Sequence, residues 1–247
     1  MKKRVMYLTF AAMFLFAPVT HALTIDVATD SSPAGYLALS LFAITPIAGM
    51  LDDTIVNFNV PNFNYAGETW NSLGVASNGF LVVGGGSNPS FSNQHLPDST
   101  DPNNVLAPFW TDLNPETGGH VYIGVLTDGT NSWVVTDWEV VPIYSNHFAV
   151  NSFEVWIGVN GVEDITFTYG PVTSGDNNML TVGAEDKTGT VGDNYYFNGI
   201  GTLPTEGAEL RVTTSGAPVS TVPEPATLLL LGAGLAGVGL MRKKFTS

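Results

Sequence analysis

From about Thr54 onward the chain alternates apolar and polar residues with a period of two. The segments TIVNFNV (54–60), HVYIGVL (120–126), SWVVTDWEV (132–140), SFEVWIGV (152–159), DITFTYG (164–170), MLTVGAE (179–185) and AELRVTT (208–214) are short. They are rich in Val, Ile, Thr and aromatics, and Gly, Asn, Asp or Pro bounds them, which is how half-buried strands read. TDGTN (127–131) predicts a hairpin, because Asp-Gly readily supplies the positive φ angles of a tight turn. No stretch of the body sustains a 3.6-residue period between caps. The pattern predicts an all-β fold, an antiparallel β-sandwich over residues 23–214, with Phe80, Phe109, Trp110, Val134, Trp156 and Phe167 buried. Residues 23–51 include AGYLALSLFAITPIAGML, an uncharged run broken by Gly35, Pro46 and Gly49, and are read as one or two buried strands.

The two ends follow a different pattern. Lys2, Lys3 and Arg4 precede an apolar stretch (5–19) and then THA, the layout of a secretory signal peptide over residues 1–22 with cleavage between Ala22 and Leu23. At the other end residues 227–241 carry no charge. As a helix, some fifteen residues rise roughly 23 Å, short of a bilayer core of about 30 Å, but insertable where the bilayer thins or flanking residues snorkel. This predicts a single C-terminal transmembrane helix. Arg242, Lys243 and Lys244 then stay cytoplasmic and the body lies outside. A Thr/Ser/Pro-rich spacer (215–221) precedes it, and prolines on both sides of Glu224 keep the chain extended and accessible.

Charge sharpens the picture. Six of the eight basic residues sit in the terminal clusters and 21 of the 22 acids do not, so residues 23–221 hold 21 acids against two bases, a net charge of −19. Such a surface repels phosphate backbones, which excludes nucleic acid as a partner. No cysteine is present, so an exported body must be held by its core rather than by disulfides.

Val222, Pro223, Glu224 and Pro225, the apolar run and the basic cluster occur in the order of the PEP-CTERM sorting signal of Gram-negative bacteria, and residues 222–247 resemble that segment. The resemblance implies recognition by an exosortase, a membrane transpeptidase that cuts near the Pro-Glu-Pro motif. It implies passing attachment to the inner membrane, delivery to the cell surface or medium, and hosts that make exopolysaccharide and biofilm matrix. The same tail goes by the name ice-binding protein C-terminal domain, a label that describes the tail and says nothing of ice. In the body, SLGVASNGFLVVGG (72–85), NNVLAPFWTDLNP (103–115), WVVTDWEVVPIY (133–144) and NSFEVWIGVNGVEDITFTYG (151–170) are similar, in that order, to nidogen-like (NIDO) extracellular domains. That resemblance implies a β-rich role in adhesion or matrix without established catalytic activity. The disulfides of animal relatives have no counterpart here.

Little in the body points to chemistry. His95, His120 and His147 are scattered with no zinc-ligand spacing, and no Gly-x-Ser-x-Gly elbow, P-loop or dinucleotide fingerprint occurs. The expectation is a non-enzymatic protein without a cofactor. Asp98, Asp101 and Asp112 offer oxygen ligands for calcium; turn-shaping by Asp and Asn side chains is the stronger reading of the same residues. A carbohydrate-active enzyme would need a carboxylate pair such as Asp112 and Glu139 on neighbouring strands, roughly 5 to 10 Å apart. Trp110, Trp133, Trp138 and Trp156 offer a sugar-stacking platform but alternate into the core. TFT at 166–168 is the only hint of an ice-binding threonine array.

Overall fold

The structure is a computed structural model and describes residues 22–216. All but Ala22 of the predicted signal peptide, the sorting residues Val222 to Pro225, the predicted transmembrane run and the basic cluster Arg242 to Lys244 lie outside the described residues. Among those described, no helix is long and apolar enough to cross a membrane.

Thirteen strands make up the described chain: β1 (Thr24–Thr29), β2 (Ile55–Tyr65), β3 (Glu68–Ala76), β4 (Phe80–Val83), β5 (Val105–Trp110), β6 (His120–Thr127), β7 (Ser132–Ile143), β8 (Asn146–Gly158), β9 (Ile165–Tyr169), β10 (Thr181–Glu185), β11 (Gly192–Phe197), β12 (Ile200–Gly201) and β13 (Glu209–Ser215). The sole helical element among the described residues is a 3₁₀ turn, Leu39–Phe42. All pairings are antiparallel. One sheet runs β1-β13-β9-β8-β7-β6 and the other β12-β11-β10-β5-β4-β3-β2.

The two sheets pack face to face. Val134, Trp138, Phe153, Val155 and Phe167 from the first meet Leu73, Val75, Leu81, Phe109 and Val182 from the second in one core. Cross-sheet contacts fix the stacking: the Phe109 and Phe153 rings lie 5.1 Å apart, Trp138 Nε1 donates to the Ala76 carbonyl at 3.0 Å, and Tyr169 Oη donates to the Pro108 carbonyl at 2.8 Å. Burying each indole or phenol with its polar atom satisfied keeps the apolar gain without an orphaned donor. The six side chains named from alternation are all buried. The predicted hairpin joins β6 to β7, with Gly129 at φ 92° and Asp128 Oδ1 accepting the Thr130 and Asn131 N–H groups.

Both sheets are also covered on their outer faces, which alternation does not reveal. Leu96 and the loop 87–104 close over Phe80, Val105 and Trp110 on the second sheet, where Trp110 Nε1 donates to the Ser90 carbonyl at 2.9 Å. On the first sheet residues 30–47 form a strap over Tyr122, Trp133, Val135 and Trp156, with Leu39 fully buried beneath it. Of the one or two buried strands read over residues 23–51, one forms, β1, with alternate residues buried; beyond it the segment is irregular apart from the 3₁₀ turn. The breakers Pro33, Gly35, Pro46 and Gly49 stop a ladder there, and side-chain carboxylates take the strap's N–H groups in its place. Thr166 and Thr168 lie under the strap, 1% and 0% exposed, so they form no surface array and the ice-binding hint is overturned.

Candidate functional site: two acidic centres

At one end of the sandwich the start of β2 meets the β3–β4 turn and the segment after β5. Thr54 and Ser77 exchange hydrogen bonds, the Thr54 N–H to Ser77 Oγ at 3.0 Å and the Ser77 N–H to the Thr54 carbonyl at 2.8 Å. Asn78 then ties the three segments together. Its Nδ2 donates to Asp53 Oδ1 and to the Pro89 carbonyl, both at 2.8 Å, and its Oδ1 accepts the Leu113 N–H at 2.8 Å. Gly79 follows at φ 77°, and a Cβ there would lie 2.1 Å from the Phe109 carbonyl oxygen, so only glycine lets the turn sit against β5.

This junction brings Asp52, Asp53 and Asp112 together, each offering an oxygen within 4.8 Å of the others. Burial, then the charges of Asp176, Asp53 and Asp52, pushes the Asp112 carboxyl up to about 7. Asp52 Oδ1 is buried without a hydrogen-bond partner among the described residues. Three carboxylates this close together favour a shared proton or a divalent ion. Calcium takes six to eight oxygens, so an ion here would draw the rest of its shell from water.

Asp98 and Asp101 are not part of this cluster. Asp98 Oδ1 accepts the Thr100 N–H at 2.9 Å and shapes its own turn, and the Asp98 N–H donates to Glu185 Oε2 at 2.8 Å. Asp101 accepts Asn88 Nδ2 through its backbone carbonyl at 2.9 Å. Nor are Asp112 and Glu139 on neighbouring strands. The Asp112 carbonyl accepts the Tyr144 N–H beyond the end of β7, whereas Glu139 pairs with His120 and accepts Ser40 Oγ at 2.8 Å. Asp112 follows β5, and β5 and β7 belong to different sheets. Trp110 and Trp138 are fully buried, and Trp133 and Trp156 are 7% and 2% exposed, so no indole face forms a platform.

The second centre lies under the strap. Tyr122, Asp137, Glu154, Thr168 and Glu209 form one row across five strands of the first sheet. The carboxylates of this row and of Glu139 accept from the strap's backbone. Glu154 Oε2 takes the Leu37 N–H and Asp137 Oδ2 the Leu39 N–H, each at 3.0 Å, and Glu209 Oε2 takes the Ser32 N–H. Glu154 also receives Trp156 Nε1 at 3.0 Å and Thr168 Oγ1 at 2.9 Å. Burial raises the Asp137 carboxyl to about 8, with the Glu154 charge adding to it, and burial raises Glu154 to about 7. The centre is a clamp on a strap, enclosed by it. Sequence reasoning missed it, although an acid inside each of the apolar strands 132–140 and 152–159 was the available signal. It missed Asp52 and Asp53 because they are distant from Asp112 along the chain.

Comparison with known proteins adds what the geometry lacks. A family model described as NIDO related matches residues 33–229, wider than the 72–170 region read from the sequence and inclusive of most of the strap and of β13. A second, described as the PEP-CTERM protein-sorting motif, matches residues 221–243 and marks an exported protein sorted by an exosortase. No curated protein and no solved structure matches the chain.

Proposed function

The chain belongs to the NIDO-related family, and on that premise we propose that it is a non-enzymatic cell-surface or matrix protein whose β-sandwich contributes to the extracellular polysaccharide layer. The observation that carries the reading is the C-terminal sorting motif joined to an acidic all-β body with a NIDO-related match. In this reading the apolar tail holds the protein in the inner membrane until the exosortase cuts near Pro223, Glu224 and Pro225. The body then reaches the surface or the medium.

The test replaces Pro223, Glu224 and Pro225 with alanine in the producing cell and follows cell and medium fractions by blot. The variant is expected to accumulate in the membrane fraction as an uncut form, heavier by the tail. Trimming and release like the unaltered protein would mean that the motif does not direct processing.

A further inference from the structure

A sandwich has four sheet edges, and unpaired edge backbone is a template for another strand. Three of the edges here are blunted. β2 carries Pro61 and a register break between Asn59 and Phe63; β12 is two residues long; the Val27 N–H of β1 is taken by Asp193 Oδ2 at 2.9 Å. The fourth, β6, pairs with β7 over all eight residues without a break, and contains neither proline nor a Lys, Arg, Asp or Glu.

The strap's backbone bonds the outward side of β6 only near its beginning. The Ile47 N–H donates to the Val121 carbonyl at 2.8 Å, and Ile44 sits so close over Gly124 that a Cβ there would lie 2.5 Å from its Cδ1. Backbone groups in an antiparallel strand alternate between its two sides, so Ile123 and Val125 share the outward direction of Val121. Among the described residues none bonds their outward N–H and C=O groups. Val125 is 55% exposed. Beside it opens a cleft of about 480 Å³, walled by Phe42, Ile44, Leu126, Trp133 and Trp156, whose one charged lining residue is Asp128.

We propose that the free stretch of β6 accepts an extended polypeptide strand from a partner, with alternate apolar side chains seated in the cleft and Lys or Arg at its ends. Charge selects the occupant. The body carries −19. Its two bases are committed, Lys187 to Glu68 at 2.6 Å and Arg211 to Asp30 and Asp164 at 2.9 and 2.6 Å. A second copy brings the same −19 against it, and an anionic strand finds no base at the edge. A cationic strand gains the backbone ladder, apolar burial and Asp128 at the end of the edge.

The probe is a labelled peptide, Lys-Val-Thr-Val-Thr-Val-Lys, titrated with the full chain in mild detergent and read by fluorescence anisotropy. Saturable binding that weakens with added salt is expected. Peptides with Glu at both ends, or with a central Pro, should bind at least about ten-fold more weakly. Val125→Pro in the chain should cost a similar factor without removing a bond to β7, since that N–H points outward. Should Val125→Pro fail to fold, Val125→Lys keeps the strand and places a like charge against the peptide. The proposal is overturned by absent binding, by equal binding of the Glu-ended peptide, or by folded Val125 variants that bind like the unaltered chain. It is also overturned if sedimentation shows a dimer that Val125→Lys dissociates, because the edge would then belong to a second copy. None of these outcomes depends on tail processing.

Discussion

Asp137 and Glu154 stand directly opposite each other on β7 and β8, both fully buried, and every hydrogen bond their carboxylates accept comes from a neutral donor. Glu139, Tyr36 and Tyr122 are the other titratable groups around Asp137. Like charges opposed across a ladder destabilise it when both ionise.

Burial lifts these two carboxyls to about 8 and about 7, well above the roughly 4 of an unfolded chain. The folded state therefore holds more protons than the unfolded state between about pH 4 and pH 8, and stability falls as pH rises through that window. The loss should be on the order of 2 to 4 kcal/mol from pH 5 to pH 9. Melting temperature measured across this range is the check, and the double variant Asp137→Asn, Glu154→Gln should flatten the slope. A melting temperature that climbs from pH 6 to pH 8 would contradict the assignment.

Asp112 supplies a separate case at the other acidic centre. Its carboxyl, raised to about 7, ionises against Asp52, Asp53 and Asp176. Asp112→Asn removes that repulsion, so the variant should be more stable than the unaltered chain above pH 7, by about 1 kcal/mol, and nearly equal to it below pH 5. Urea unfolding at pH 5 and pH 8.5 measures both. A variant equally destabilised at the two values would show that Asp112 serves packing instead.

Asn78 and Gly79 set the geometry of that centre. Asn78→Ala leaves the Leu113 N–H and the Pro89 carbonyl without their partner and should cost about 2 to 4 kcal/mol. Gly79→Ala drives a methyl into the Phe109 carbonyl and should cost about 3 kcal/mol or more. Gly129→Ala is the control: its φ is also positive, but nothing lies within 4 Å, so only about 1 kcal/mol of backbone strain remains. Similar losses at both glycines would remove the steric argument.

Val140 is a β-branched residue at φ 57°, on the bulge between Trp138 and Val141, and is 47% exposed. Such a backbone costs a β-branched residue roughly 1 to 2 kcal/mol. Val140→Gly should relieve the strain and, after glycine's own entropy cost, raise stability by about 0.5 to 1 kcal/mol. A higher denaturant midpoint at unchanged slope is the expected reading; a lower midpoint would mean that Val140 packs more than its exposure implies.

The strands were legible because half-buried strands advertise themselves by alternation, and the 127–131 turn by Asp-Gly. The covered outer faces were not. β5, β9 and β10 are buried at every position. Their outer covers are loops and a strap, which leave no period in a sequence. Asp137 and Glu154 occupy alternation positions that would face solvent in a two-layer sandwich, so they read as ordinary surface acids. Asp112 was placed with Asp98 and Asp101 because they are near in sequence, whereas Asn78 and the β3–β4 turn deliver it to Asp52 and Asp53.

The scarcity of bases also decides how this protein can be detected. Trypsin cuts after Lys and Arg, and in residues 23–221 it finds only Lys187 and Arg211. Both are held in ion pairs, and Arg211 lies within β13. A tryptic digest thus leaves residues 23–187 as one fragment too long for routine peptide sequencing, and residues 188–211 as a single short peptide. Surveys of exported proteins built on trypsin see the body through residues 188–211, and a protease that cuts after Asp or Glu is the one that will bring the rest into view.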